Sequence, residues 1–377
     1  MKHQPIRIVH VIARMNVGGP AILISELLKG LNNKDFESFL ITGNCESNEV
    51  DYLEANNLNF NEIRIKGFGR SLNPISDLKS ILKIIRTLRK IKPDIVHTHT
   101  AKAGVIGRIT SFVAAPKAKR VHTYHGHLLH GYFSKSKTQL VILIEKFLAK
   151  ITDLILTVGN QVKKDLLAAG IGKAEKMIVT FPGLSVNARE EVKGLRKKLE
   201  IAEDEVVLIY VGRLTGIKRP DRLINAFRKA CDDCHNLTLL VVGDGELRTE
   251  TEKQAFGLKV KFLGWRTDVY ELMTISDIAI LTSDNEGMPI TLIEAAHLGL
   301  PSISTNVGSV KDVVINAQTG YTTTIDDESI SERIKQLAIS KSLRDKFGKA
   351  AKLHAAENFS VNSMVDFHKK TYKSLLN

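Results

Sequence analysis

An alternation of strand-like and helix-like segments runs the length of the chain, and it starts over half-way. Short runs rich in Val, Ile and Leu lie at 6–12, 38–42, 95–98, 119–124, 154–158 and 177–181, and again at 206–211, 238–242, 259–263, 278–281 and 302–304. Runs without polar alternation are strands covered on both faces, and the segments between most neighbours have the periodicity of amphipathic helices. Parallel strands need such crossovers, so the expected fold class is α/β, with parallel sheets between layers of helix. A chain of 377 residues is too long for one ordinary core. The series restarts near 205, after Pro182-Gly183 and a charged helix expected over 188–199. Two doubly wound domains with a cleft between them follow, one over 1–184 and one over 185–359, with a last amphipathic helix over 360–377 opening at the cap signal Asn358-Phe359-Ser360.

The net charge of +13 is unevenly placed. Residues 1–184 hold 27 Lys and Arg against 14 Asp and Glu, whereas 185–377 hold 27 against 27. The densest basic piece, 79–92, is an amphipathic helix with Ile81, Ile84, Ile85 and Leu88 along one side. A solvated basic face is the plain reading; attraction to an anionic membrane surface or a phosphate-bearing substrate is the sharper one. Nucleic acid is not expected, because few aromatics accompany the basic clusters and no binding module is recognisable. Residues 1–5 lead straight into a strand with no secretory signal, and the most apolar stretch, 140–158, is interrupted by Glu145, Lys146, Lys150 and Asp153. A cytoplasmic protein, at most peripheral on the inner face of the membrane, is expected. Three cysteines imply a reducing compartment, and Cys231-x-x-Cys234 lacks the second pair of a metal site.

Several turns at the carboxyl ends of strands carry chemistry. Glu286 and Glu294 are separated by seven residues, the first in a loop after a strand and the second inside the following helix. Alone, such a pair is a loop acid and a helix acid facing solvent; on a ligand-binding edge, two carboxylates can accept from sugar hydroxyls. Arg213 and Lys218 flank a glycine-containing loop before a helix and form a cradle for a diphosphate, if not simply a solvated basic loop. Gly18-Gly19-Pro20 opens another helix and offers its amides to an anion, although the turn is not a dinucleotide fingerprint. Gly243, Asp244, Gly245 and Glu246 close a further strand, where glycines let a base or ribose lie against the backbone. Histidines cluster at two neighbouring strand ends, His97 with His99 and His122 with His125 and His127; without Cys or acidic residues at ligand spacing, a zinc site is not expected there.

In this order, Gly18-Gly19-Pro20, Asp94-Ile-Val-His-Thr-His99, His125-Gly126, Val211-Gly-Arg-Leu with Lys218, Gly243-Asp-Gly245 and Glu286-x7-Glu294 resemble the retaining nucleotide-sugar glycosyltransferases of family 4. The resemblance spans essentially the whole chain and, more narrowly, points to bacterial capsule, O-antigen and exopolysaccharide enzymes. It implies the GT-B fold, two facing Rossmann-like domains, with the acceptor on the first and the nucleotide-sugar on the second. Arg213 and Lys218, supported by the Gly18 and Gly19 amides, match the donor-diphosphate site. Glu294 matches the ribose anchor. Glu286 matches the carboxylate beside the donor hexose, lined by Gly287, Met288 and Pro289. His125 matches the histidine near the reacting centre, with His97, His99 and His127 on the acceptor side. The loops at Gly243–Glu246 and at Gly264, Trp265 and Arg266 match those that receive base and ribose. Met288-Pro289 replaces the family's common aromatic-glycine pair and leaves the hexose unspecified.

The resemblance further implies transfer of a hexose or N-acetylhexosamine, UDP-linked by family frequency, to a lipid-diphosphate-linked or glycan acceptor. It implies no cofactor and no divalent metal, since cations and helix dipoles neutralise the departing diphosphate. The rival readings are a nucleotide-sugar 2-epimerase of the same fold and a non-catalytic sugar-nucleotide-binding protein.

Overall fold

The computed structural model describes residues 4–47, 49–69, 73–126, 135–186 and 194–377. They divide into two compact units, Met1–Leu184 with Ser360–Asn377, and Ser185–Phe359. The first unit holds a sheet of β1 (Ile6–Arg14), β2 (Phe36–Gly43), β3 (Glu62–Arg64), β4 (Ile95–His99), β5 (Lys119–Tyr124), β6 (Leu154–Thr157) and β7 (Met177–Val179), in the order β3-β2-β1-β4-β5-β6-β7. The second holds β8 (Val206–Val211), β9 (Leu237–Val242), β10 (Val260–Gly264), β11 (Ile278–Leu281), β12 (Ser302–Thr305) and β13 (Gly320–Thr323), in the order β10-β9-β8-β11-β12-β13. Every neighbouring pair is parallel. The fold is GT-B.

In both sheets the order of strands, not their direction, reverses beside the first strand, between β1 and β4 and between β8 and β11. Chains leaving the two sides of such a reversal diverge, which opens a crevice at the carboxyl ends. β3 and β13 were not expected from sequence; both are edge strands of three and four residues with only partial burial.

The helix expected over 79–92 runs instead from Pro74 to Ile91. The Asn73 side chain accepts from the Ser76 N–H and Pro74 occupies the first turn, so the helix starts well before its basic stretch. It buries Ile84 and Leu88 in a core with Val9, Val11, Ile41, Phe68 and Val96. Fully burying each Leu or Ile side chain is worth roughly 2 kcal/mol. Of the helix expected over 188–199, the described residues include Leu195–Lys198.

The last helix, Val361–Leu376, is capped by Ser360 and belongs to the first unit. It packs Val365 against Gly30, where a Cβ would lie 2.5 Å from a Val365 methyl. The Tyr372 hydroxyl reaches His97 Nδ1 at 2.6 Å, and Lys373 pairs with Asp35 at 2.9 Å. Among the described residues, no helix is long and apolar enough to cross a membrane.

Candidate functional site

In the second unit, three loops are laced together at the carboxyl edge. The Gly212 N–H donates to the Val242 carbonyl and the Leu214 N–H to that of Asp244, both at 2.9 Å. The Gly243 N–H donates to the Gly264 carbonyl at 2.8 Å. Gly243 has φ +126°, and a Cβ there would lie 2.0 Å from the Gly212 carbonyl oxygen, so no other residue permits this approach. The lacing gathers Gly243, Asp244, Gly245 and Glu246 with the Gly264, Trp265 and Arg266 turn. Asp244 is held below the usual carboxylate range by the Gly245 N–H and by Arg248. Trp265 turns an aromatic surface to water, at 67% exposed.

The turn after β8 carries Arg213, which is exposed, and a single 3-10 turn, Gly216–Lys218. Lys218 Nζ lies 2.5 Å from Glu286 Oε1, and the Ser283 hydroxyl donates to the same oxygen at 2.6 Å. The contact therefore joins the loop after β8 to the loop after β11, across the reversal of the sheet. Glu286 is 8% exposed, so its charge sits where water screens it poorly. Its backbone is fixed too: Gly308 has φ +52°, and a Cβ there would fall 1.6 Å from the Glu286 carbonyl oxygen.

Gly287, Met288 and Pro289 link this loop to the helix Ile290–His297, and Met288 is buried. Glu294, on that helix, is 8% exposed and accepts from the Tyr270 hydroxyl at 3.2 Å. Burial pushes its carboxyl up to about 7, with the Tyr270 hydrogen bond pulling the other way. Sequence reasoning missed Ser283 and Tyr270, and it missed the brace behind them. In that brace the buried Arg222 reaches Asp284 and the Thr282 carbonyl, each at 2.7 Å. Tyr270 lies 24 residues from Glu294, so no local pattern joins them; Ser283-Asp284 at a strand end was the one available signal.

In the first unit, Gly18 and Gly19 stand at the start of the helix Gly19–Leu31, whose first turn holds no acidic residue. Its amides therefore face outward without an internal counter-charge. Beside it, the reversal of the sheet is filled by imidazoles. His10 on β1 is in register with His97 on β4, and His10, His97 and His99 are all fully buried. The nitrogens of His97 are taken by Tyr372 and by Thr123 Oγ1 at 2.6 and 2.7 Å. Those of His99 are taken by His10 Nδ1 at 3.1 Å and His125 Nε2 at 3.0 Å. The structure thus puts His97 and His99 inside the unit, with no ring nitrogen left for an acceptor. His125 is half-buried after β5, and His127 lies outside the described residues. Burial lowers His10 and His125 to about 3 and His368 to about 4, and drives His97 and His99 well below the ordinary range. Ligand atoms of His10, His97 and His99 lie within 4.8 Å of one another. A metal would have to displace the Tyr372 or Thr123 bond of His97 and would find no carboxylate in that trio. Cys231 and Cys234 are both free thiols.

The same unit has a surface that is at once basic and apolar. The outer face of the helix Pro74–Ile91 exposes Ile75, Leu78 and Leu82 beside Lys79, Lys83, Arg86, Arg89 and Lys90. Phe112 on the helix Ala101–Ala114, and Leu143 and Phe147 on Lys135–Lys150, are more than half exposed, at 53%, 66% and 61%. The apolar members were not read from the sequence.

Two family profiles match the chain one after the other: "Glycosyltransferase Family 4" over residues 17–188 and "Glycosyl transferases group 1" over 192–354. The chain is a family 4 glycosyltransferase. Among curated relatives, it is 28% identical over 344 residues to the Escherichia coli UDP-Gal:alpha-D-GlcNAc-diphosphoundecaprenol alpha-1,3-galactosyltransferase, covering 86% of each chain. It is 29% identical over 323 residues to the capsular polysaccharide biosynthesis glycosyltransferase CapM of Staphylococcus aureus, covering 81% of this chain and 83% of CapM. Among solved structures, Anabaena HepE in complex with UDP and glucose superposes with a TM-score of 0.82 at 21% identity, over 98% of this chain and all of HepE. The glycosyltransferase is thus related to enzymes of bacterial cell-surface polysaccharide synthesis.

Proposed function

We propose that this glycosyltransferase moves a hexose or N-acetylhexosamine from a UDP-sugar to a lipid-diphosphate-linked or glycan acceptor, with retention of configuration and without a divalent metal. The observation that carries the reading is the Lys218–Glu286 contact at the reversal of the second sheet, with Arg213 on the same loop. Lys218 and Arg213 supply the positive charge that a departing diphosphate needs in the transition state, in a site partly withdrawn from water. Glu286, freed from Lys218 as the diphosphate arrives, accepts from hexose hydroxyls. Glu294 accepts from the ribose hydroxyls, and Trp265 with the Gly243–Glu246 turn receives the base. In the first unit, the amides of Gly18 and Gly19 offer a second anion site, and His125 faces the reacting end of the ligand.

A lipid-linked acceptor agrees with the diphosphoundecaprenol substrate in the name of the E. coli relative and with the basic, apolar face of the first unit. There Lys and Arg would meet anionic headgroups while Ile75, Leu78 and Leu82 enter the interface. The test is incubation with UDP-galactose, UDP-glucose, UDP-N-acetylglucosamine and a bacterial lipid extract, in EDTA. The expected product is a lipid-linked saccharide heavier by one hexosyl or N-acetylhexosaminyl residue, α-linked by NMR. A free, isomerised nucleotide-sugar without acceptor, or activity abolished by EDTA and restored by magnesium, would contradict the proposal.

A further inference from the structure

We infer that His10 and His99 are positioning residues that hold His125 as an Nδ1–H donor toward a substrate oxygen. The three rings form one chain: His10 Nδ1 to His99 Nε2 at 3.1 Å, and His99 Nδ1 to His125 Nε2 at 3.0 Å. His97 lies against His99 with ring centroids 4.1 Å apart and planes tilted by 37°, but its own nitrogens are bound to Tyr372 and Thr123, so it does not compete. His368 likewise spends Nδ1 on the Met364 carbonyl. Burial keeps the rings uncharged.

Three neutral rings carry three protons. Two lie in the two hydrogen bonds, because a neutral His99 must donate one bond and accept the other. The third proton therefore sits at one end of the chain, on His10 Nε2 or on His125 Nδ1. His10 Nε2 is buried and has no hydrogen-bond partner among the described residues. A proton there would strand an N–H without an acceptor, the rarer kind of buried orphan, whereas a bare lone pair is better tolerated. The proton goes to His125 Nδ1. All three rings then adopt the Nδ1–H tautomer, the one free histidine disfavours, so the arrangement has an unambiguous signature. The inference rests on the reading of His125 as a group that faces substrate, and it adds what decides the sense of that contact: a buried histidine on another strand.

The test is long-range proton–nitrogen NMR of the full chain with 15N-labelled histidine, assigned by single substitutions. The wild type should show His10, His99 and His125 protonated at Nδ1. In His99→Phe, His125 should return to the Nε2–H form and kcat should fall about 10- to 100-fold, with UDP affinity unchanged. His99→Asn places an amide N–H near the ring's Nδ1 position and should recover several-fold of that loss. An Nε2–H His125 in the wild type, or the same His125 tautomer with and without His99, overturns the inference; so does stoichiometric zinc uptake that His10→Leu abolishes. Should a variant fail to fold, the wild-type spectrum alone decides. Tautomers are read without turnover, so a missing transfer activity would defeat the proposed function and leave this result standing.

Discussion

Where the first sheet reverses, three fully buried imidazoles fill the edge; where the second reverses, Lys218 and Glu286 meet at 2.5 Å with Arg213 close by in sequence. The contrast runs opposite to net charge. The half with all of the surplus positive charge has an uncharged switch point, and its Lys and Arg line an outer helix. The half with no net charge brings Lys218, Arg222, Glu286 and Asp284 together at the carboxyl edge of its sheet. Net charge reports which surface a partner approaches, while the chemistry of a site depends on which charges the fold pairs and shields.

Transfer itself should suffer most from a change on the charged side. On the proposed function, Lys218→Ala removes a cation from the developing diphosphate, and among the described residues it leaves the Glu286 carboxylate with the Ser283 hydroxyl as its side-chain partner. Transfer should fall about 100- to 1,000-fold in a steady-state assay, and a change below threefold would dissolve the distinction between the two edges.

Next is a buried ion pair on the other side, which should matter for stability and not for chemistry. Arg108 is fully buried and pairs with Glu145 at 2.7 Å, and the Tyr124 hydroxyl donates to the same carboxylate. Glu145→Gln strands the guanidinium and should cost about 3–5 kcal/mol in denaturant unfolding. Transfer per folded molecule should stay at the wild-type level.

The third effect is a pH dependence. The Glu294 carboxyl rises from its ordinary 4.5 to about 7 in the folded chain. A raised acid binds its proton more tightly when folded, so that contribution is complete below about 4.5 and disappears as pH climbs through 7. Unfolding at pH 5 and at pH 8 should show Glu294→Gln gaining on the wild type by up to about 3 kcal/mol at the higher pH. A gap that stays constant with pH would mean that Glu294 is not buried as described. Residue for residue, the smallest effect belongs to the outer helix. Replacing Lys79, Lys83 and Arg86 by Gln should weaken sedimentation with anionic vesicles by about 1 kcal/mol per residue at low salt. Salt should erase the difference.

Much of this was legible in the sequence, for physical reasons. β8 and β11 are uninterrupted apolar runs, because strands covered on both faces have no solvent side, and their boundaries were exact to the residue. The loops holding Arg213, Lys218 and Glu286 follow those strands directly, so locating the strands located the loops. β3 and β13 escaped notice because edge strands of three and four residues bury too little to enforce a pattern. The helix from Pro74 was begun too late because its first turn is marked by a cap and not by apolar spacing. His10 looked like one polar residue inside a buried strand. Its meaning comes from His99 and His125, 89 and 115 positions along the chain, and Tyr372 meets His97 across 275 positions. Pairings of that kind are made by topology and leave no trace in local sequence.

On the proposed function, Arg213 and Lys218 make the carboxyl edge of the second sheet a diphosphate site. The most direct measurement is calorimetric titration of UDP, in EDTA, into the wild type, Arg213→Ala and Lys218→Ala. Wild-type binding without metal, weakened at least about tenfold in each variant, corresponding to about 1.4 kcal/mol, is the predicted result. Equal affinity in all three proteins, or binding that appears only after magnesium is added, would contradict it.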